Sequence, residues 1–321
     1  MQMKSAHNFA EQISENFSVA KLLAILLVVT GHYFDGSLLW VPVSIGLFVF
    51  SFSSGYFSAA RYQGVLDIRK FWSGKFRRLL PALFVVNIFL LLIFVMQGRS
   101  GIWHHHTIIA WFGLSGILDW FGIRNASPFG NGLWFFTALL IFYVVYPVFN
   151  SLCSSRSRSV IFIFCFAIIC FLGQVYASLP YMLWLTIFGF GFGVFASRVD
   201  WHPSRAFAWS GLGVVVLVFL IVNIFGYKQL NIIFIALMSI YAVAILLCAP
   251  LHERYIGPLA LWIPCVLEIY LLHTYIFVRS PALGDAMGYL LSMLLVLSCA
   301  YAMFRMRKLV EKGTVRARLF S

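Results

Sequence analysis

The feature that most constrains this chain is a succession of apolar runs, each close to the length needed to cross a bilayer. They cover roughly 17–38, 42–60, 79–97, 132–152, 160–178, 181–197, 206–226, 230–250, 258–278 and 282–304. A membrane helix needs about 20 apolar residues. Within hydrocarbon only helices and closed barrels satisfy their own backbone. The alternation of barrel strands is absent, so the runs predict an all-α, polytopic membrane protein of about ten spans. Hydrophobic residues make up 62% of the 321 and charged residues 10%, which leaves no room for a sizeable soluble domain. The stretch 102–121 is also apolar, but Gly113, Gly116 and Asp119 interrupt it. It is expected to be re-entrant or interfacial rather than a further span.

Orientation follows from the loops. With the N-terminus in the cytoplasm, every Lys and Arg falls on the cytoplasmic side except Arg99, Arg124, Lys228 and Arg279. This is the bias that sets topology in short loops, and it requires an even number of spans, with the C-terminus also inside. The chain then divides into a cytoplasmic tail 1–16, a membrane domain 17–304 and a basic cytoplasmic tail 305–321. The tail 1–16 is polar, so no cleavable signal peptide is expected. The net charge of +13 reads as a topology device facing anionic lipid, not as a nucleic-acid surface. The six cysteines form no CxxC pair and read as small core residues. The runs GFGFG at 189–193 and GLG at 211–213 lie inside spans with no strand before them. Close helix packing explains them better than nucleotide binding.

Polar residues inside spans are costly and therefore candidates for function. The first span carries Ser18, Lys21, Thr30 and His32. Eleven residues separate Lys21 from His32, close to three full turns, so the two share a face about 16 Å apart. Asp35 follows His32 by three residues and is placed to fix its tautomer and raise its basicity. The plainer reading is an interfacial histidine beside a solvated aspartate. Ser44, Ser51, Gly55 and Ser58 mark a close-packing face of the second span. Lys75 and Arg78, three apart at the cytoplasmic entrance of the third span, can hold phosphates or simply anchor the helix. The ninth span holds Glu268, Tyr270 and His273. Tyr270 and His273 can face together, whereas Glu268 lies about 140° from His273 on the helical wheel. The run His104, His105, His106 lacks the separated ligands and the carboxylate or thiolate partner of a metal site, so no metal is expected.

Taken in order, these segments resemble the acyltransferase 3 family of integral membrane acyltransferases. SVAKLLAILLVVTGH at 18–32 is similar to the family's first helix, with His32 at the position of its essential histidine. Lys21 stands where the family usually has arginine, and Ser18 where it has aspartate. IGLFVFSFSSGYF at 45–57, KFRRLLP at 75–81, LWFFTALLIFYVVYP at 133–147 with its Trp134, and EIYLLH at 268–273 resemble later motifs. Leu139 and Leu140 stand where one branch carries Glu. The chain also ends 17 residues after the tenth run, so the branch without an extracytoplasmic hydrolase-like domain is expected.

The resemblance implies a cytoplasmic acyl-CoA donor, most often acetyl-CoA, and no permanently bound cofactor. It implies an acceptor hydroxyl on a bacterial surface glycan or its lipid-linked precursor. His32 is then the expected general base, oriented by Asp35. Lys21, Lys75 and Arg78 are expected on the donor side, and Glu268, Tyr270, His273 and Trp134 near the acceptor, where Tyr270 and His273 can bind it or polarise the thioester carbonyl. Histidine titrates near 6.5 in model peptides, which suits a base at neutral pH. Direct transfer and an acetyl-histidine relay both fit. The rival class is a transporter or flippase for lipid-linked sugars, which usually carries several ionisable groups within its spans.

Overall fold

The computed structural model describes residues 2–34, 39–62, 64, 66–248 and 257–319, with side chains described between residues 11 and 311 apart from Pro258. The elements in order are α1 (Gln2–Tyr33), α2 (Trp40–Arg61), α3 (Ile68–Met96), α4 (His105–Trp111), α5 (Ser115–Trp120), α6 (Trp134–Leu152) and α7 (Arg156–Tyr176). They continue with α8 (Tyr181–Arg198), α9 (Arg205–Ile224), α10 (Asn231–Cys248), α11 (Val266–Leu272) and α12 (Gly284–Leu319). Among the described residues there is no strand, and nine helices are long and apolar enough to cross a membrane. The chain is therefore an all-α, polytopic membrane protein. The helix starts follow from capping chemistry: Asp67 accepts from the Lys70 amide, Ser155 from Arg158 and Ser204 from Phe207.

Two of the apolar stretches do not form long helices. The stretch 102–121 forms α4 and α5, of 7 and 6 residues, separated by a turn. Neither reaches across a bilayer, as the interrupting glycines imply. The run 258–278 is corrected. Its helical part is only Ile263–Leu272, about 15 Å long and half of the hydrocarbon core. The helix ends at Leu272, and there His273 Nδ1 lies 2.6 Å from the oxygen of Tyr270, one of the last-turn carbonyls. The chain then continues without helix to Gly284. Such backbone is tolerated at membrane depth only where protein or a water-lined cavity surrounds it. The helix α12 continues through the basic tail to Leu319.

The chain forms two compact units. The first comprises residues 1–31, 36–66 and 145–260. Its core stacks Phe17 on Phe52 and Phe52 on Tyr56, with Phe192 packed against Phe52. Here α2 and α8 touch backbone to backbone. A Cβ on Gly55 would collide with the Phe190 carbonyl, and one on Gly193 with that of Phe52. This is the packing that small residues permit between membrane helices. Arg198 ties α8 to the Tyr62 carbonyl and to the side chain of Asn150.

The second unit comprises residues 32–35, 67–144 and 261–321, and all but one of the candidate site residues belong to it. Here α11 and α12 pack on α3. The segment between α3 and α6 is laced to itself. Thr107 Oγ1 meets Ser127 Oγ at 2.7 Å, Ser115 donates to the Gly130 carbonyl, and Thr137 donates to that of Gly113. These bonds tie the segment to itself and to the first turn of α6.

Candidate active site

The site grows from the point where α11 ends. His273 is fully buried, and its ring centroid lies 5.0 Å from that of His32, at the last turn of α1. His32 itself is exposed. Two imidazoles therefore meet, one open to its surroundings and one enclosed. Because a carbonyl can only accept, the proton between His273 and Tyr270 sits on Nδ1 of His273. The Nε2 atom is then the lone-pair side, and among the described residues it has no hydrogen-bond partner.

The chain after His273 is stitched to the end of α1. One Arg279 nitrogen donates to the carbonyls of both His32 and Tyr33, at 3.0 Å each. These belong to the last turn of α1, whose carbonyls lack helical partners and attract cations. In return the Tyr33 hydroxyl donates to the Val278 carbonyl at 3.2 Å. The Arg279 guanidinium also lies 5.5 Å from the centre of the Tyr33 ring. The Val278 amide donates to Ser292 of α12, so the strap is held on its far side as well.

The other end of α11 is pinned differently. Arg307 Nε of α12 lies 2.9 Å from Glu268 Oε1, with Glu268 fully buried and Arg307 at 7% exposure. The contact is one of charge rather than an aligned hydrogen bond. Glu268, expected near the acceptor, thus has its partner within the fold. Tyr270 is similar: its hydroxyl donates to the Gly132 carbonyl at 3.0 Å and its ring packs edge-on against Phe135. Thr274 donates to Asn131 beside it. Gly132 adopts φ +71°, and a Cβ there would run into Thr274, so glycine is needed where this turn meets α11. Trp134, half-buried, opens α6 two residues later.

On the donor side, Lys75 Nζ lies 4.5 Å from the centre of the Tyr143 ring and 5.4 Å from that of Phe71. It is a half-buried cation seated on aromatic faces. Arg78, one turn on, is exposed. Lys21 is half-buried and belongs to the first unit. Asp35, expected to orient His32, lies outside the described residues.

The three consecutive histidines come together, their ligand atoms within 4.8 Å of one another. Two of them have committed lone pairs. His104 Nδ1 accepts from the His106 amide and His106 Nδ1 from the Ala126 amide. Their Nε2 atoms carry the proton in the neutral ring and offer a metal nothing. The arrangement is a cap for α4 and a tie to 126, chemistry that suits fold rather than ligation.

In the sequence Arg307 and Arg279 read only as topology charges, whereas in the fold Arg307 pairs with Glu268 and Arg279 holds the end of α1. For Arg307 a signal existed, since a carboxylate inside a span demands a cation somewhere.

The acyltransferase 3 family, described as an acyltransferase domain, matches residues 15–305 of the chain. The match runs from within α1, ahead of Lys21, into α12. The protein therefore belongs to this family and is a multi-pass membrane acyltransferase. No curated protein and no solved structure matches it.

Proposed function

We propose that the protein moves an acyl group, most simply acetyl, from cytoplasmic acyl-CoA to a hydroxyl of a bacterial cell-surface glycan or its lipid-linked precursor. On this reading it works in the cytoplasmic membrane with both termini inside. The observation that carries the reading is the exposed His32 imidazole set against the buried His273 where a span is interrupted, in a chain of an acyltransferase family. His32 takes the proton of the acceptor hydroxyl as its oxygen attacks the thioester carbonyl. The new C–O bond forms, the C–S bond breaks, and the proton passes to the departing thiolate, so that ester and free CoA are the products. Base catalysis of this kind is worth about 10²–10⁴-fold.

Arg78 and Lys75 meet the donor's phosphates, with the basic end of the third span turned to the cytoplasm. The structural basis for different weights is that Arg78 is exposed whereas Lys75 is seated on rings. Trp134 and Tyr270 shape the acceptor side, and Glu268 acts through Arg307 to hold α11. The test uses membranes containing the protein, supplied with acetyl-CoA and candidate glycans. Free CoA and an acetylated glycan should appear together, with a gain of 42 Da per modified unit, the mass of C₂H₂O added to the acceptor. Movement of a lipid-linked sugar across the membrane without CoA release would instead make the protein a transporter.

A further inference from the structure

His273 presents a buried lone pair to which nothing described donates. Its Nδ1–H is held by the Tyr270 carbonyl at 2.6 Å, which fixes both the tautomer and the plane of the ring. Its Nε2 has no hydrogen-bond partner among the described residues, although His273 has no exposed surface. A buried acceptor without a donor costs about 1–3 kcal/mol. The group whose ring lies against it is His32, 5.0 Å away between centroids and tilted by 57°. The terminal torsion of a histidine is broad, and His32 is exposed. His32 is therefore the imidazole placed beside His273 that can supply an N–H to its Nε2.

We infer that His273 is a positioning residue for His32: its Nε2 accepts the N–H of the His32 ring nitrogen that faces it, so that the opposite nitrogen of His32 presents a lone pair to the acceptor hydroxyl. The chain of bonds runs from the Tyr270 carbonyl through His273 to His32. It sets the tautomer of His32 from the enclosed side of the site. When His32 takes a proton, the bond to His273 remains and only the open nitrogen changes state.

The inference rests on His32 being the base, but its decisive measurement needs no turnover. Protein labelled with ¹⁵N-histidine is placed in lipid nanodiscs, and the ring signals of His32 are assigned by their loss in His32→Ala. The expected result is a single His32 tautomer in the unaltered protein and a mixture of both in His273→Leu. His273→Gln, whose amide oxygen reaches the place of Nε2, should keep the single tautomer. In parallel, kcat should fall about 10²-fold in His273→Leu with KM for acyl-CoA unchanged, and His273→Gln should recover most of that loss. An unchanged tautomer in His273→Leu, or a mixture in His273→Gln, overturns the inference. A mixture in His273→Gln overturns it even if the Leu variant does not fold. Should His32→Ala keep full acyl transfer, the reading of His32 as base fails, while the tautomer result still stands or falls by itself.

Discussion

Arg307 and Glu268 form an ion pair, 2.9 Å between Nε and Oε1, with both side chains buried. Removing one partner of such a pair strands a charge, which typically costs about 3–5 kcal/mol. Replacing both with apolar residues of similar size is often close to neutral. Glu268→Leu and Arg307→Leu should each lower the unfolding temperature of the detergent-solubilised protein sharply, and the double variant should recover much of the loss. Two single losses that simply add in the double variant would show that the residues do not act as a pair.

Arg279 is expected to matter for rate rather than for folding. It holds the two carbonyls that end α1 and lies in an exposed position. Arg279→Ala should slow acyl transfer by about tenfold, the equivalent of about 1.4 kcal/mol for a lost charged hydrogen bond. Yield and thermal stability should change little. A fall in stability as large as that of Arg307→Leu, with no separate effect on rate, would count against the positional role of the strap.

The order of sensitivity at the donor entrance follows from exposure. Arg78→Ala should raise KM for acyl-CoA by about tenfold with kcat unchanged, because only a phosphate contact is removed. Lys75→Ala should raise it less, because its ammonium is shared with the faces of Tyr143 and Phe71. The Arg78 contribution should fade as salt is added. Steady-state kinetics with acyl-CoA at two ionic strengths checks both statements, and equal effects of the two substitutions would refute the ranking.

The histidine knot of α4 should respond to acid. Loss of water around its ring, and then the neighbouring His104 and His105, hold His106 below the ordinary histidine value. Its Nδ1 also has to stay unprotonated to accept the Ala126 amide. The folded form therefore prefers neutral His106. The stability this lends is present above about pH 6.5 and is lost as pH falls below it. Hydrogen exchange across 101–127 should accelerate in that window and should not do so in His106→Gln. Chelators should leave acyl transfer unchanged at any pH, in keeping with the committed lone pairs of His104 and His106.

Much of the fold was legible because lipid imposes one rule on every span. Nine of the ten apolar runs are long helices, and the glycines at 113 and 116 marked the segment that does not cross. The run 258–278 misled because hydropathy sees composition and not hydrogen-bond partners. Leu271, Leu272, Ile276 and Phe277 are as apolar as any span, yet the helix ends between them at Leu272, where the His273 ring is bonded to the Tyr270 carbonyl. His32 was legible as a motif position. Its neighbour His273 was legible as a residue but not as a contact, because 241 residues of sequence separate the two and only the fold brings their rings together. Arg307 was obscured by its surroundings: a basic residue after an apolar run reads as the positive-inside signal, and only the unpaired Glu268 called for something else.

The central claim is that His32 is the base of an acyl transfer. The direct measurement is the rate of CoA release by the purified protein in lipid, with acetyl-CoA and an accepting glycan, for the unaltered chain and for His32→Ala. The account predicts a loss of at least about 10² in kcat, with normal insertion and with KM for acetyl-CoA little changed. A His32→Ala protein that inserts normally and retains most of its CoA release would contradict it.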